Sequence, residues 1–190
     1  MTEPLVVVSA GTYHLPFTRL IEWVERWTAA HPEARVVVQH GPTRPVAGAE
    51  NHEILPYSAL LELCRAADAV VLQGGAGGIM DLRALGRRPI VVPRVPVDDE
   101  VVDDHQLRFA EVADSLGLIH MALAEEELHA ALDGVLGGTL PSAVSAEVEV
   151  PGIGTVAAML ASPPSALPRR ERGRRLRRSV RGILADRRGR

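Results

Sequence analysis

Ala69-Val70-Val71-Leu72-Gln73-Gly74-Gly75-Ala76-Gly77-Gly78-Ile79-Met80-Asp81, residues 69–81, is the stretch on which the fold turns. Its first half is a continuous apolar run, as a strand needs when crossover helices bury both of its faces. Its second half packs four glycines into five positions before helical spacing begins. Glycine lets a backbone turn tightly and come close to a ligand. The spacing predicts a strand over 69–73, a turn, and a helix over 79–85 whose start lies near Gly77. Such a start presents unpaired amides and the positive end of the helix dipole, so a diphosphate is its natural guest. Asp81, one turn inside, is placed to accept hydrogen bonds from ribose hydroxyls. A plainer role fits the same residues: the glycines permit a tight connection and Asp81 favours the positive helix end. No Gly-Lys-Ser/Thr follows, which excludes a Walker loop, and the late position of the run separates it from the dinucleotide fingerprint.

Outward from this stretch the chain alternates short β-branched runs with amphipathic segments. Strands are predicted over 5–9, 35–39, 52–55 (the weakest), 69–73, 90–93 and 118–121. Helices are predicted over 17–30, 57–66, 79–85, 104–116 and 125–136. The pattern is that of an α/β domain with a doubly wound parallel sheet. A short apolar stretch, 153–161, is expected to close this domain, giving 1–161. A linker over 162–168 follows, where prolines restrict the chain, and then a tail over 169–190.

With 190 residues, 46% of them hydrophobic, the chain is long enough for one sizeable core and too short for two full domains. No run approaches the ~20 apolar residues of a membrane-spanning helix, and no signal-peptide pattern opens the chain, so a cytoplasmic location is expected. The net charge of −3 hides an asymmetry. There is no lysine, and 11 of the 21 arginines fall within 169–190 against only Glu171 and Asp186. The body is therefore acidic, and the tail seeks an anionic partner or surface. Cys64, the single cysteine, sits in an apolar pattern and reads as a small buried hydrophobe.

Loops after strands carry the remaining candidates, because ligands of open parallel sheets bind beyond the strands' carboxyl ends. After the first strand, Gly11 and Thr12 offer an amide and a hydroxyl to a phosphate. His14, in the same loop, is either a general base near neutral pH or a solvated loop residue. Further on, Asp98, Asp99, Glu100, Asp103 and Asp104 read as a solvated loop with a helix cap, and less well as a divalent-ion site. His105 and Gln106, in the first turn of the next helix, are placed to reach the same crevice as Gly75.

Five segments in order now carry a resemblance: VSAGTYHLPFTRL (8–20), VQHGPT (38–43), ADAVVLQGGAGGIMD (67–81), GRRPIVVPR (86–94) and VDDHQ (102–106). Together they resemble the family 28 glycosyltransferase C-terminal domain over about residues 5–135. Within it they are most similar to the small catalytic subunits of two-component transferases of bacterial exopolysaccharide assembly, relatives of the eukaryotic dolichol-linked N-acetylglucosaminyltransferase subunit. The resemblance implies the Rossmann-like half of a GT-B enzyme that holds a UDP-sugar. A separate membrane-anchored subunit would supply the other half and the lipid-linked saccharide acceptor. It further implies that Gly74, Gly75, Ala76 and Gly77 contact the diphosphate and that Asp81, where relatives carry glutamate, meets the ribose. His105 and Gln106 would contact the sugar, Gly11 and Thr12 form the first glycine loop, and Arg94 joins the donor contacts. Some relatives carry histidine in place of Gln73. Inverting transfer without a bound metal or cofactor is implied, with the catalytic base in the partner or at His14. The alternative is a non-catalytic nucleotide-sugar-binding regulatory or stabilising subunit.

Within the tail, Leu176, Val180, Ile183 and Leu184 share one helical face and most arginines lie elsewhere. That pattern predicts a short interfacial helix at an anionic membrane surface, against a plain solvated tail, and it would make the protein peripheral at the inner face of the cell membrane. Nucleic acid is not an expected partner, because the body is acidic and aromatic residues make up only 3% of the chain.

Overall fold

The structure is a computed structural model and describes residues 3–96, 100–101 and 104–144. Asp98, Asp99 and Asp103 of the acidic cluster, the expected closing helix over 153–161, the linker and the arginine-rich tail lie outside the described residues.

The elements run β1 (Leu5–Ser9), α1 (Thr18–Ala30), β2 (Arg35–Gln39), β3 (Glu50–His52), α2 (Tyr57–Ala66), β4 (Ala69–Gln73), α3 (Ala76–Ala84), β5 (Ile90–Val92), α4 (His105–Ser115), β6 (His120–Met121) and α5 (Glu125–Leu136). The six strands form one sheet in the order β3-β2-β1-β4-β5-β6, and every pairing is parallel. This is the Rossmann order, in which the chain runs outward one way from β1 and the other way from β4.

Side chains alternate across each strand and so divide the core into two layers. Val6, Val8, Val36, Val38, Val71, Ile90 and Val92 pack against Leu20, Val24 and Trp27 of α1 and Leu128 and Leu132 of α5. Val7, Val37, Val70, Leu72 and Val91 face the other way, onto Cys64 of α2, Ile79 and Leu82 of α3, and Ala110 and Ala113 of α4. Burial on both faces is the reason these strands read as unbroken apolar runs.

Three elements differ from the expectation by more than one residue. The edge strand β3 is Glu50–His52 and not 52–55. Backbone pairing with β2 and the Arg35–Glu50 ion pair at 2.7 Å hold it there, and the apolar Ile54 beyond it is 64% exposed. β6 shrinks to His120–Met121, because only those residues find partners on β5. The third, α3, begins earlier than its apolar spacing suggests, and that difference shapes the site.

Candidate functional site

Beyond the carboxyl ends of β1, β2 and β4 lies a cleft of about 210 Å³, at the point where the sheet's winding reverses. Its polar lining includes Ser9, Gln39 and Gln73, the last residues of those three strands. The Ser9 hydroxyl accepts from Gln39 Nε2 at 3.1 Å and from the Gly11 amide at 3.3 Å. Gln39 Oε1 in turn accepts from the Leu55 amide at 3.0 Å. Leu60, Leu61 and Cys64 of α2 and Leu82 of α3 supply the apolar wall, while Gly11, Thr12, Gly75 and Gly78 border the cleft with backbone.

The glycine run divides between turn and helix. Gly74 and Gly75 make the turn, and α3 starts at Ala76, so that Gly77 and Gly78 lie inside its first turn. Glycine there weakens a helix by roughly 1 kcal/mol relative to alanine. Burial of Ile79 and Leu82 on the sheet anchors the helix regardless. The Ile79 amide donates to the Gly75 carbonyl at 3.3 Å, closing the first turn. The amides of Ala76, Gly77 and Gly78 precede it and have no acceptor within the helix. Gly75 offers no side-chain cap, and residues 76–78 are exposed. What results is a row of donors beside the positive end of a helix dipole, which suits an anion.

Two glycines are dictated by contact. Gly11 has φ +78°, and a Cβ there would lie 1.9 Å from Gln73 Nε2. Any other residue would be strained and would displace the Gln73 side chain. A Cβ on Gly74 would lie 3.0 Å from the Pro93 Cα and 3.0 Å from the Gln106 Cβ. The loops after β1, β4 and β5 thus meet at atomic contact.

Asp81 borders the cleft from α3, and the Tyr57 hydroxyl of α2 hydrogen-bonds to it. That bond holds the phenol's pKa above its ordinary value. Burial pushes the Cys64 thiol up to about 11, so Cys64 contributes apolar wall and no thiolate.

Arg94, expected among the donor contacts, is fully buried. Its Nε donates to Gln73 Oε1 at 2.9 Å. Nη1 donates to the carbonyls of Leu15, Pro16 and Glu100 at 3.1, 3.0 and 2.9 Å, and Nη2 to that of Ala10 at 3.1 Å. The ring of Phe17 covers the guanidinium at 4.5 Å. Desolvation lowers its pKa, and a guanidinium still keeps its proton. Arg94 therefore ties protein loops together and does not line the cleft, which corrects the expectation. Glu100, read as solvated or metal-binding, is buried and ion-paired to Arg19 at 2.8 Å. Among the described residues no three His, Cys, Asp or Glu side chains are grouped to hold a metal ion.

The other candidates sit around this core. Gln106 packs on Gly74, and its Oε1 accepts from the Arg94 amide at 3.4 Å. His105 is the first residue of α4 and is exposed. His14 is exposed in the loop after β1, its ring 4.5 Å from that of Tyr13, and is not part of the cleft lining. Ser9, Gln39, Tyr57 and Gln73 were not among the expected contacts. The signal for three of them was in the chain: each ends an apolar strand with a polar residue, at the edge where ligands bind.

The chain is similar to several solved structures at low identity. The glycotransferase of kitacinnamycin matches with a TM-score of 0.55 and 23% identity over 71% of this chain. Spinosyn forosaminyltransferase SpnP matches with a TM-score of 0.54 and 17% identity over 73%. This chain spans only 35% and 36% of those two proteins. ALG13, solved by NMR, matches with a TM-score of 0.50 and 18% identity, over 74% of this chain and 88% of its own. No curated protein matches the sequence. These likenesses show the Rossmann-like half of a GT-B fold. The model of the glycosyltransferase family 28 C-terminal domain matches residues 5–146, and the chain belongs to that family.

Proposed function

We propose that this chain is the donor-binding subunit of an inverting glycosyltransferase, moving a hexose or N-acetylhexosamine from a UDP-sugar to a polyprenyl-diphosphate-linked acceptor in exopolysaccharide or glycan biosynthesis. The observation that carries the reading is the uncapped, glycine-lined start of α3 beside the cleft at the reversal of the sheet. Family membership supports the reaction class.

In this reading the nucleoside enters between α2 and α3, where Asp81 meets the ribose and displaces or shares the Tyr57 hydroxyl. The diphosphate lies against the amides of Ala76, Gly77 and Gly78, with Gly11 and Thr12 opposite. An acceptor hydroxyl attacks the anomeric carbon, the bond from that carbon to the diphosphate oxygen breaks, and UDP leaves with the electron pair. The amides and the helix dipole stabilise the charge that develops on the leaving oxygen, without a metal. The hydroxyl proton passes to a base, which is His14 or a residue of a membrane-anchored partner subunit that brings the lipid-linked acceptor. Such an enzyme works at the cytoplasmic face of the membrane, and the arginine-rich tail would hold it at anionic lipid.

Calorimetry with UDP tests the site directly. Asp81→Ala should keep the fold and weaken UDP binding by about 10- to 100-fold, the effect of losing charged hydrogen bonds. Unchanged affinity would remove the ribose assignment. Transfer of radiolabelled sugar to membrane lipid by the chain together with its partner tests catalysis, and tight UDP binding without transfer would make the chain a sensor.

A further inference from the structure

Glu100 is 3% exposed, and both of its carboxylate oxygens are occupied. Oε1 accepts from Arg19 Nε at 2.8 Å, and Oε2 accepts from Arg19 Nη2 at 2.8 Å and from the Val95 amide at 3.1 Å. Its main-chain carbonyl accepts from Arg94. Arg19 reaches on to the Pro93 carbonyl at 2.9 Å and lies 4.8 Å from the Trp23 ring. A forked guanidinium on a carboxylate fixes orientation as well as distance. Glu100 thereby joins α1, through its carboxylate on Arg19, to the segment after β5. Through Arg94 it also joins that segment to the loop after β1 and the end of β4. None of the three side chains lines the cleft.

We propose that Glu100 is a positioning residue: with Arg19 and Arg94 it holds the segment after β5, and Gln106 with it, against the Gly74–Gly75 turn at the sugar end of the donor site. This rests on the UDP-sugar reading above. A nucleotide seated between α2 and α3 with its diphosphate on the first amides of α3 has its sugar beyond the Gly74–Gly75 turn. That is the side on which Gln106 packs. Gln106 is fixed there by the amide of Arg94, the residue whose guanidinium holds the Glu100 carbonyl. No hydrogen bond of Arg19, Arg94 or Glu100 reaches α2 or α3. Arg94 touches the cleft lining at Gln73, whereas the Arg19–Glu100 pair makes no hydrogen bond there and acts on the sugar end.

Glu100→Gln and Arg19→Gln, each in the full chain, separate the two ends. UDP affinity is expected to stay within about twofold, while affinity for UDP-glucose or UDP-N-acetylglucosamine, whichever the wild type binds better, falls by about tenfold, as misplacement of a contacting group does. Amide exchange should rise in peptides carrying Val95 and Gln106 and stay unchanged in those of α2 and α3. Equal losses for UDP and UDP-sugar, or none for either, overturn the proposal. Arg19→Gln keeps the test available if Glu100→Gln does not fold, because Arg19 is 20% exposed on a helix. A wild-type chain that binds no UDP removes the donor reading itself, an outcome visible before any variant is compared.

Discussion

Arg94 and the first turn of α3 follow neighbouring strands, β5 and β4, and treat polar groups in opposite ways. Arg94 is a full charge with no exposure, surrounded by one amide oxygen and four main-chain carbonyls. The start of α3 carries no charged side chain, and its exposed amides lack helical acceptors. A buried charge persists only when its hydrogen bonds are met inside the protein, so Arg94 is committed to the scaffold. Unmet donors on the surface are the ones free for a ligand. The difference teaches that the residue with the most ligand-like chemistry is spent on the scaffold, and the donors left open to a ligand belong to the residues with the least side-chain chemistry.

The comparison breaks most readily at Arg94. Arg94→Met removes the donors from five acceptors, the Glu100 main-chain carbonyl among them, so stability should fall by about 3 kcal/mol, read by urea unfolding. A loss below about 1 kcal/mol would mean the network is ornamental. Gly77→Ala sharpens the other side. A Cβ there meets nothing within 4 Å, so the helix should gain up to about 1 kcal/mol in thermal unfolding, while UDP binding weakens because the methyl crowds the amide row. Higher stability with unchanged UDP affinity would take those amides out of the site.

A pH-dependent effect concerns the cleft wall. Cys64 has a folded pKa of about 11 against an ordinary value of 9.0, so its protonated form stabilises the fold. That contribution is complete below pH 9 and disappears as pH rises through 11. The native chain should resist iodoacetamide at pH 8 and react once unfolded. Between pH 9 and 11 it should lose more stability than Cys64→Ala does. Rapid native alkylation would show that the wall opens to solvent.

Most of the sheet was legible because its strands are buried on both faces, and unbroken runs such as Val6 to Val8 and Val70 to Leu72 have no other stable setting. The weak edge strand was misplaced because β3 is held by backbone pairing and Arg35, neither of which depends on apolar residues at 54–55. The apolar spacing of α3 starts only at Ile79 because glycine at 77 and 78 carries no hydrophobic period, although it adopts helical angles, while the glycine turn itself put the helix start near Gly77, one residue from Ala76. Asp81 was legible as a cleft residue from its distance along the helix, yet its Tyr57 partner comes from a different helix and left no local trace.

By itself the sequence determined the order of elements, the parallel sheet, and the glycine turn after β4, because hydrophobic period and glycine content act over a few residues. Tertiary structure decided which ends meet. Placing β1 beside β4 brings Gly11 onto Gln73, and β5 beside β4 brings Arg94 to the carbonyls of residues about 80 positions earlier. Whether an arginine faces a ligand or its own backbone depends on those long-range neighbours, since the desolvation of its charge is set by everything packed around it.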